Sequence, residues 1–116
     1  LDGTIDCIST HHRSHDWDAK TKEYEYTAYG MNTLQTTYNM IMRAIPELSG
    51  TQLNLLMGEN ARKIFKLNNV TIAEGCQDFT LVQPNETWEY NSSSNKSTNS
   101  NSPLFGQTLT GKAVSF

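Results

Sequence analysis

The sequence predicts an α/β fold, α+β if the chain stands as an isolated piece, and three observations predict it. A short apolar run, Ile5 to Ile8, is followed by three histidines within five residues, His11, His12 and His15. Apolar residues then recur at three- and four-residue spacing between Leu34 and Phe65. Beyond Leu67 the period changes to short β-prone runs. A buried strand that delivers titratable side chains at its C-terminal end is how parallel α/β folds build sites, because the loops there lie over the open end of the sheet. The opening stretch therefore reads as one strand–loop–helix unit of a larger barrel.

Taken in order, Leu1 to Thr4 is turn chemistry and Ile5 to Thr10 the predicted strand, its apolar run interrupted by Asp6. Asp16 to Glu25 is charged and aromatic without a clean period, which predicts a long loop holding at most one helical turn, and Gly30 marks a turn. Leu34, Tyr38, Ile41, Met42 and Ile45 share one helix face, and that helix stops before Pro46. Ser49 or Thr51 caps the next helix, whose apolar stripe is Leu53, Leu56 and Met57 and whose end is Gly58. Asn60 then caps a shorter helix, Ala61 to Phe65, with Ile64 and Phe65 turned inward. The β-prone runs are Val70 to Ile72, Phe79 to Val82, Thr87 to Tyr90 and Gly111 to Phe116, separated by Gly75, Pro84 and Gly106. Between the last two, Asn91 to Ser102 is a low-complexity polar tract expected to be a mobile surface loop, 91–102.

Composition narrows the function classes. With 116 residues, 36% of them hydrophobic, the chain supports one modest core. A net charge of −3 with 18% charged residues gives no basic face for nucleic acid. No window reaches the length of a membrane span and no signal peptide opens the chain. Leu1 is not a natural start, so a removed N-terminus is expected. Cys7 and Cys76 do not make a disulfide framework and read as reduced thiols of a cytoplasmic protein. The sequons at Asn69, Asn85, Asn91 and Asn95 are chance products of an Asn- and Ser-rich chain.

His11, His12 and His15 have spacings compatible with a metal site, and Asp16 or Asp18 could add a carboxylate. Adjacent histidines on an extended segment point to opposite faces, so His11 and His12 converge only if the strand has already ended. A surface or supporting cluster is the other reading of the same residues.

These residues carry a resemblance. Asp2-Gly-Thr-Ile-Asp6 followed by Ser9-Thr-His-His-Arg-Ser-His15 resembles the region around the last barrel strand of dihydroorotases. These are the cyclic-amide hydrolases of pyrimidine synthesis, in the amidohydrolase superfamily, where Asp-Gly-x-Ile-Asp precedes Ala-Thr-Asp-His-Ala-Pro-His. The likeness continues through Glu23-Tyr-Glu-Tyr-Thr-Ala-Tyr-Gly-Met31, Leu34-Gln-Thr36 and Asn60-Ala-Arg-Lys-Ile64. It resumes at Ile72-Ala-Glu-Gly75, Asp78-Phe-Thr-Leu81 and Trp88, and ends with Ser102-Pro-Leu-Phe-Gly106 and Leu109-Thr-Gly-Lys112. It covers nearly the whole chain, in order.

The resemblance implies a zinc-dependent (β/α)₈ amidohydrolase (TIM) barrel with a small β-sandwich. Residues 1–67 would be its last strand and following helices, and residues 68–116 the C-terminal share of the sandwich. It implies that the metal-binding histidines come from earlier strands, so this chain alone would hold no zinc and show no hydrolase activity. It places His15 on the substrate carboxylate and Ala28, Tyr29 and Gly30 in the substrate pocket. The family aspartate that contacts the metal and moves the proton of the attacking water is matched by His11, which makes His11 the catalytic and metal position. That departure, with Arg13-Ser14 in place of Ala-Pro, predicts impaired catalysis or a pseudoenzyme. Two classes follow: a dihydroorotase interconverting carbamoyl-aspartate and dihydroorotate, or a non-catalytic scaffold for aspartate transcarbamoylase. A metal-binding module standing alone is a third. A cytoplasmic homo-oligomer is expected, with no nucleic acid or membrane partner.

Overall fold

A computed structural model of the chain describes residues 2–77 and 79–115. Leu1, Asp78 and Phe116 lie outside the described residues. With them go the start of the opening turn, the aspartate of the Asp-Phe-Thr-Leu match and the end of the last β-prone run.

The helical half follows local chemistry. Asp16 accepts the Ala19 N–H at 2.9 Å and caps α1, Trp17–Lys20, the single turn expected inside the loop. A 3₁₀ turn follows at Tyr24–Tyr26, and another at Leu34–Thr36 runs straight into α2, Thr37–Ala44. The helix stops where Pro46 requires, with Ile45 donating back to the Ile41 carbonyl. Its buried residues are Thr37 and Ile41 on one side and Asn39 on the other, whereas Leu34, expected on the apolar face, is 65% exposed.

The next two expected helices are one continuous segment. Ser49, not Thr51, caps α3, Gly50–Asn54, in a reciprocal capping box with Gln52. A π-turn, Leu55–Glu59, carries the chain into α4, Asn60–Ile64. Gly58 therefore does not end a helix. The Asn60 N–H reaches back five residues to Leu55 rather than four to Leu56, and the freed Leu56 carbonyl accepts the Ile8 N–H at 2.9 Å. Asn60 is not a cap either; its amide donates to the Asp6 carbonyl at 2.8 Å. The helix ends at Ile64 with Phe65 as its cap, and Lys66 beyond it takes a left-handed φ of 55°. Ile64 and Phe65 face outward, 54% and 73% exposed.

The predicted strand Ile5 to Thr10 does not form. A strand exists through the ladder of its neighbours, and the described residues place no strand beside this one. Its backbone instead docks on the π-turn through the two bonds just named. Val70 to Ile72 is likewise irregular.

The described strands are two, paired antiparallel: β1, Thr80–Glu89, and β2, Thr108–Ser115. β1 fuses two expected runs across Pro84, which should have separated them. Gln83 pairs with Lys112 and Thr87 with Thr110, so Pro84, Asn85 and Glu86 bulge opposite Gly111 alone. The bulge removes any ladder bond that the missing proline N–H would have to make. Lys112 and Glu86 form an ion pair across it at 2.8 Å.

Helix and sheet meet at Gly111. Its φ is +86°, and a Cβ there would collide with the Tyr38 ring. Asn39 donates to the Thr110 and Gly111 carbonyls at 2.6 Å each, and the Trp88 indole N–H donates to Gly111 at 2.8 Å. The core around this joint is small: Ile41, Leu48, Tyr90 and Leu109 are its buried apolar residues. A larger share is polar, with Asn32, Thr33, Thr36, Thr37 and Asn39 all buried. The stripes of Tyr38, Met42, Leu53 and Met57, with Val82 of the sheet, line an open groove of about 1400 Å³.

Candidate functional site

The three histidines part company. His11 adopts a left-handed φ of 47°, ends the opening segment and lies exposed. His12 turns the other way, and its Nδ1 accepts the Thr33 and Leu34 N–H groups at 3.1 Å each. Those are the first free donors of the 3₁₀ turn leading into α2, so a histidine twenty-one residues upstream of Thr33 caps this helix from outside. A second tie, Thr33 Oγ1 to the Thr10 carbonyl at 2.8 Å, fixes the same junction.

His15 reaches the loop after α1. Its Nε2–H donates to the Tyr29 carbonyl at 2.9 Å. On either side, the Lys20 ammonium donates to the Ala28 carbonyl at 2.8 Å and the Gly30 carbonyl at 3.1 Å. Three successive carbonyls are thus held by donors from one short segment, and the Ala28 N–H closes the loop onto Ala19 at 3.0 Å. Gly30, at φ +124°, lies so close under Arg13 that a Cβ would sit 2.7 Å from the Arg13 Cβ. The chain needs glycine there both for the dihedral and for the approach. His15, Ala28, Tyr29 and Gly30, expected to share a site, are together.

The polar tract supplies the opposite wall. It has turns and bends but no helix or strand, and it is stitched to residues 14–35. Gln35 brackets it, donating to the Ser94 carbonyl at 2.7 Å and accepting the Lys96 N–H at 2.9 Å. Asn99 donates to Ser14 Oγ and takes the Asn32 amide on its carbonyl. Asn101 accepts the His15 N–H and donates to the Gly30 carbonyl, both at 3.4 Å. Between this wall and the His15–Lys20 segment lies a cleft of about 460 Å³, floored by Phe105. Behind it Tyr90 is buried, its hydroxyl 3.1 Å from Asn95, and burial raises its pKa above the ordinary value of 10.0 against a smaller opposing effect of the Asn32 amide.

Zinc does not fit these residues by themselves. Both nitrogens of His12 are accounted for, Nδ1 by two backbone donors and Nε2 by the proton that this arrangement leaves on it. His15 spends Nε2 on Tyr29. Among the described residues, no group of three His, Cys, Asp or Glu side chains could hold a metal, so the spacing reading that gathered His11, His12, His15 and an aspartate does not converge. Cys7 and Cys76 are free and partly exposed. Among the described residues no helix is long and apolar enough to cross a membrane. Sequence reasoning missed Lys20, Asn101 and the capping role of His12. A lysine four residues from a capping aspartate reads as a solvated charge, and no periodicity marks a side chain whose partner is a remote backbone.

No family model matches the chain. Single relatives do. It is similar to the dihydroorotase of Syntrophus aciditrophicus (strain SB), 34% identical over 116 residues, covering 97% of this chain and 27% of that protein. A dihydroorotase of Geobacter sp. (strain M21) is 34% identical with the same coverage. One of Endomicrobium trichonymphae is 31% identical over 97% of the chain and 28% of its own length. The chain spans about a quarter of the length of these curated relatives, and along that span its sequence is similar to dihydroorotases.

Proposed function

We infer that the chain is the C-terminal portion of a dihydroorotase-like cyclic-amide hydrolase of pyrimidine biosynthesis, acting on dihydroorotate and carbamoyl-aspartate, with catalysis impaired at position 11. The observation that carries this is the alignment of 97% of the chain with proteins named dihydroorotase. Residues 1–67 are read as the last strand and helices of a (β/α)₈ barrel, and 68–116 as its share of a β-sandwich. The unpaired Ile5 to Thr10 segment and the apolar groove support that reading, since both are surfaces a barrel would cover. The protein is read as cytoplasmic and homo-oligomeric.

In this reading His15 meets the substrate carboxylate. Tyr29 holds its Nε2–H, so Nδ1 is the ring atom left for a ligand, and Nδ1 donates to an anion only when protonated. The resulting imidazolium matches a carboxylate in charge. The carbonyls of Ala28, Tyr29 and Gly30 are already occupied, and Ala28 spends its N–H on Ala19. The Tyr29 and Gly30 N–H groups are therefore what this loop offers an anionic substrate. The family's zinc would be held by residues of other strands, and no step through it is assigned to this chain.

His11 stands at the position of the family's proton-moving aspartate. An imidazole can carry a proton, yet it brings no negative charge to a cationic centre, and Arg13 beside it adds a positive one. Loss of a positioned acid/base lowers rates by roughly a hundred- to ten-thousand-fold. The same substitution favours the second reading, a non-catalytic subunit that scaffolds aspartate transcarbamoylase. In the full-length protein, His11→Asp with Arg13→Ala and Ser14→Pro should raise dihydroorotate hydrolysis by about tenfold or more. An unmodified protein that already turns over at about 1 per second or faster refutes the impairment. Inactivity of both forms, with co-elution of aspartate transcarbamoylase, selects the scaffold.

A further inference from the structure

We propose that Lys20 is a positioning residue that sets the conformation of the Ala28 to Gly30 loop against His15. The inference rests on the reading above, that this loop and His15 face the substrate. Its own basis is geometric. The loop tip is three residues whose carbonyls all point back to one segment, and Lys20 holds the outer two while His15 holds the middle one. A single ammonium bonded to both outer carbonyls fixes the Ala28–Tyr29 and Gly30–Met31 peptide planes, which flank the Tyr29–Gly30 peptide held by His15. The Lys20 side chain is partly buried, so these charge-assisted bonds are made with reduced competition from water.

Two further contacts make the arrangement stiff rather than adaptable. Gly30 is pressed against Arg13, which leaves the loop no room to move toward the histidine segment. Asn101 also donates to the Gly30 carbonyl at 3.4 Å, so that oxygen cannot swing away from Lys20 without breaking another bond. With its carbonyls drawn toward Lys20 and His15, the peptide links of the loop turn their N–H edges the other way. Lys20 thereby decides which face of the loop a ligand meets. It also steadies the imidazole, because the peptide whose carbonyl takes the His15 Nε2–H lies between the two that Lys20 holds.

The test uses the full-length protein with Lys20→Met, which keeps the stem and removes the donors, and Lys20→Arg, which keeps donors and charge. Hydrogen exchange at the Ala28 amide, bonded to Ala19, and the Arg13 amide, bonded to Met31, is read in parallel with calorimetric binding of dihydroorotate. Lys20→Met is expected to speed exchange at these amides by roughly tenfold or more and to weaken dihydroorotate binding by a similar factor, the size of losing a charge-assisted hydrogen bond. Exchange in β1 and β2 should stay as in the wild type, and Lys20→Arg should recover most of both effects. Unchanged exchange at Ala28 and Arg13 in Lys20→Met overturns the proposal, and so does faster exchange with wild-type affinity. Equal acceleration across β1 and β2 also overturns it, because the lysine would then be supporting the fold at large. If the wild type itself binds no dihydroorotate, the substrate reading fails, and the exchange measurement still decides whether Lys20 holds the loop.

Discussion

Replacing His12 by alanine removes the acceptor that caps the turn into α2 from outside. Two backbone donors lose it, and they fare differently. Thr33 is 5% exposed, so its abandoned N–H has no water to turn to, and a buried unsatisfied donor costs about 1–3 kcal/mol. Leu34 is 65% exposed, and water can replace the imidazole at little cost. Loss of an ordinary helix cap is about 0.5–2 kcal/mol, which is consistent with the Thr33 bond dominating. We therefore expect His12→Ala to lower the unfolding free energy of the full-length protein by about 1–3 kcal/mol in urea titration. His12→Asn should recover most of this, since an asparagine oxygen can occupy the place of Nδ1. His12→Gln should not, because its oxygen reaches the place of Nε2. Alanine within about 0.5 kcal/mol of wild type, or asparagine no better than alanine, refutes the capping argument.

Gly111→Ala should destabilise by at least about 1–3 kcal/mol from the left-handed φ alone, and adding Tyr38→Ala should recover the collision but not the backbone strain, as read by urea unfolding of both variants. Burial raises the Tyr90 pKa, so its contribution is complete below the unfolded-state value and is lost as pH climbs through the folded one. Stability should fall above about pH 10, and Tyr90→Phe should remove that alkaline branch in unfolding curves taken between about pH 8 and 11. The 91–102 tract, which we propose to be mobile between its anchors to residues 14–35, should exchange its amide hydrogens faster than β1 and β2, with Lys96 and Asn95 the slowest within it; protection equal to the sheet would refute the mobility.

What was legible in the sequence was whatever depends on local chemistry. Pro46 stopped a helix, Ser49, one of two candidate caps, capped one, and the β-prone run from Phe79 became a strand. The failures share a cause of a different kind. Gly58 is a helix terminator in isolation, yet here the helix continues through a π-turn whose freed Leu56 carbonyl is taken by Ile8, a residue forty-eight positions away that no local rule reaches. Pro84 is a strand breaker, but a bulge opposite Gly111 absorbs it, and a bulge is a property of two strands. Ile5 to Thr10 has the composition of a strand and lacks only a neighbour. At the candidate site, His15 and the Ala28 to Gly30 loop were reached through resemblance, while Lys20 and Asn101 were not, because what identifies them is the set of carbonyls they hold.

The polar core gives these misses a common physical origin. Apolar periodicity reports which face of a helix avoids water, yet α2 buries Thr37 and Ile41 on one side and Asn39 on the other, while Leu34 stands in solvent. The joint between helix and sheet is made by Asn39 amide bonds to two successive carbonyls, and the joint between α2 and the histidine segment by Thr33 and His12. Each such bond is directional and adds on the order of 1 kcal/mol, so a handful fixes orientation without adding much burial. A site that must hold His15 against a particular peptide plane is served better by such bonds than by apolar contact, which is non-directional. The apolar stripes are then left free to face the open groove. On the proposed reading the rest of the barrel covers that groove, and the polar network keeps the loop and the histidine in register at its rim.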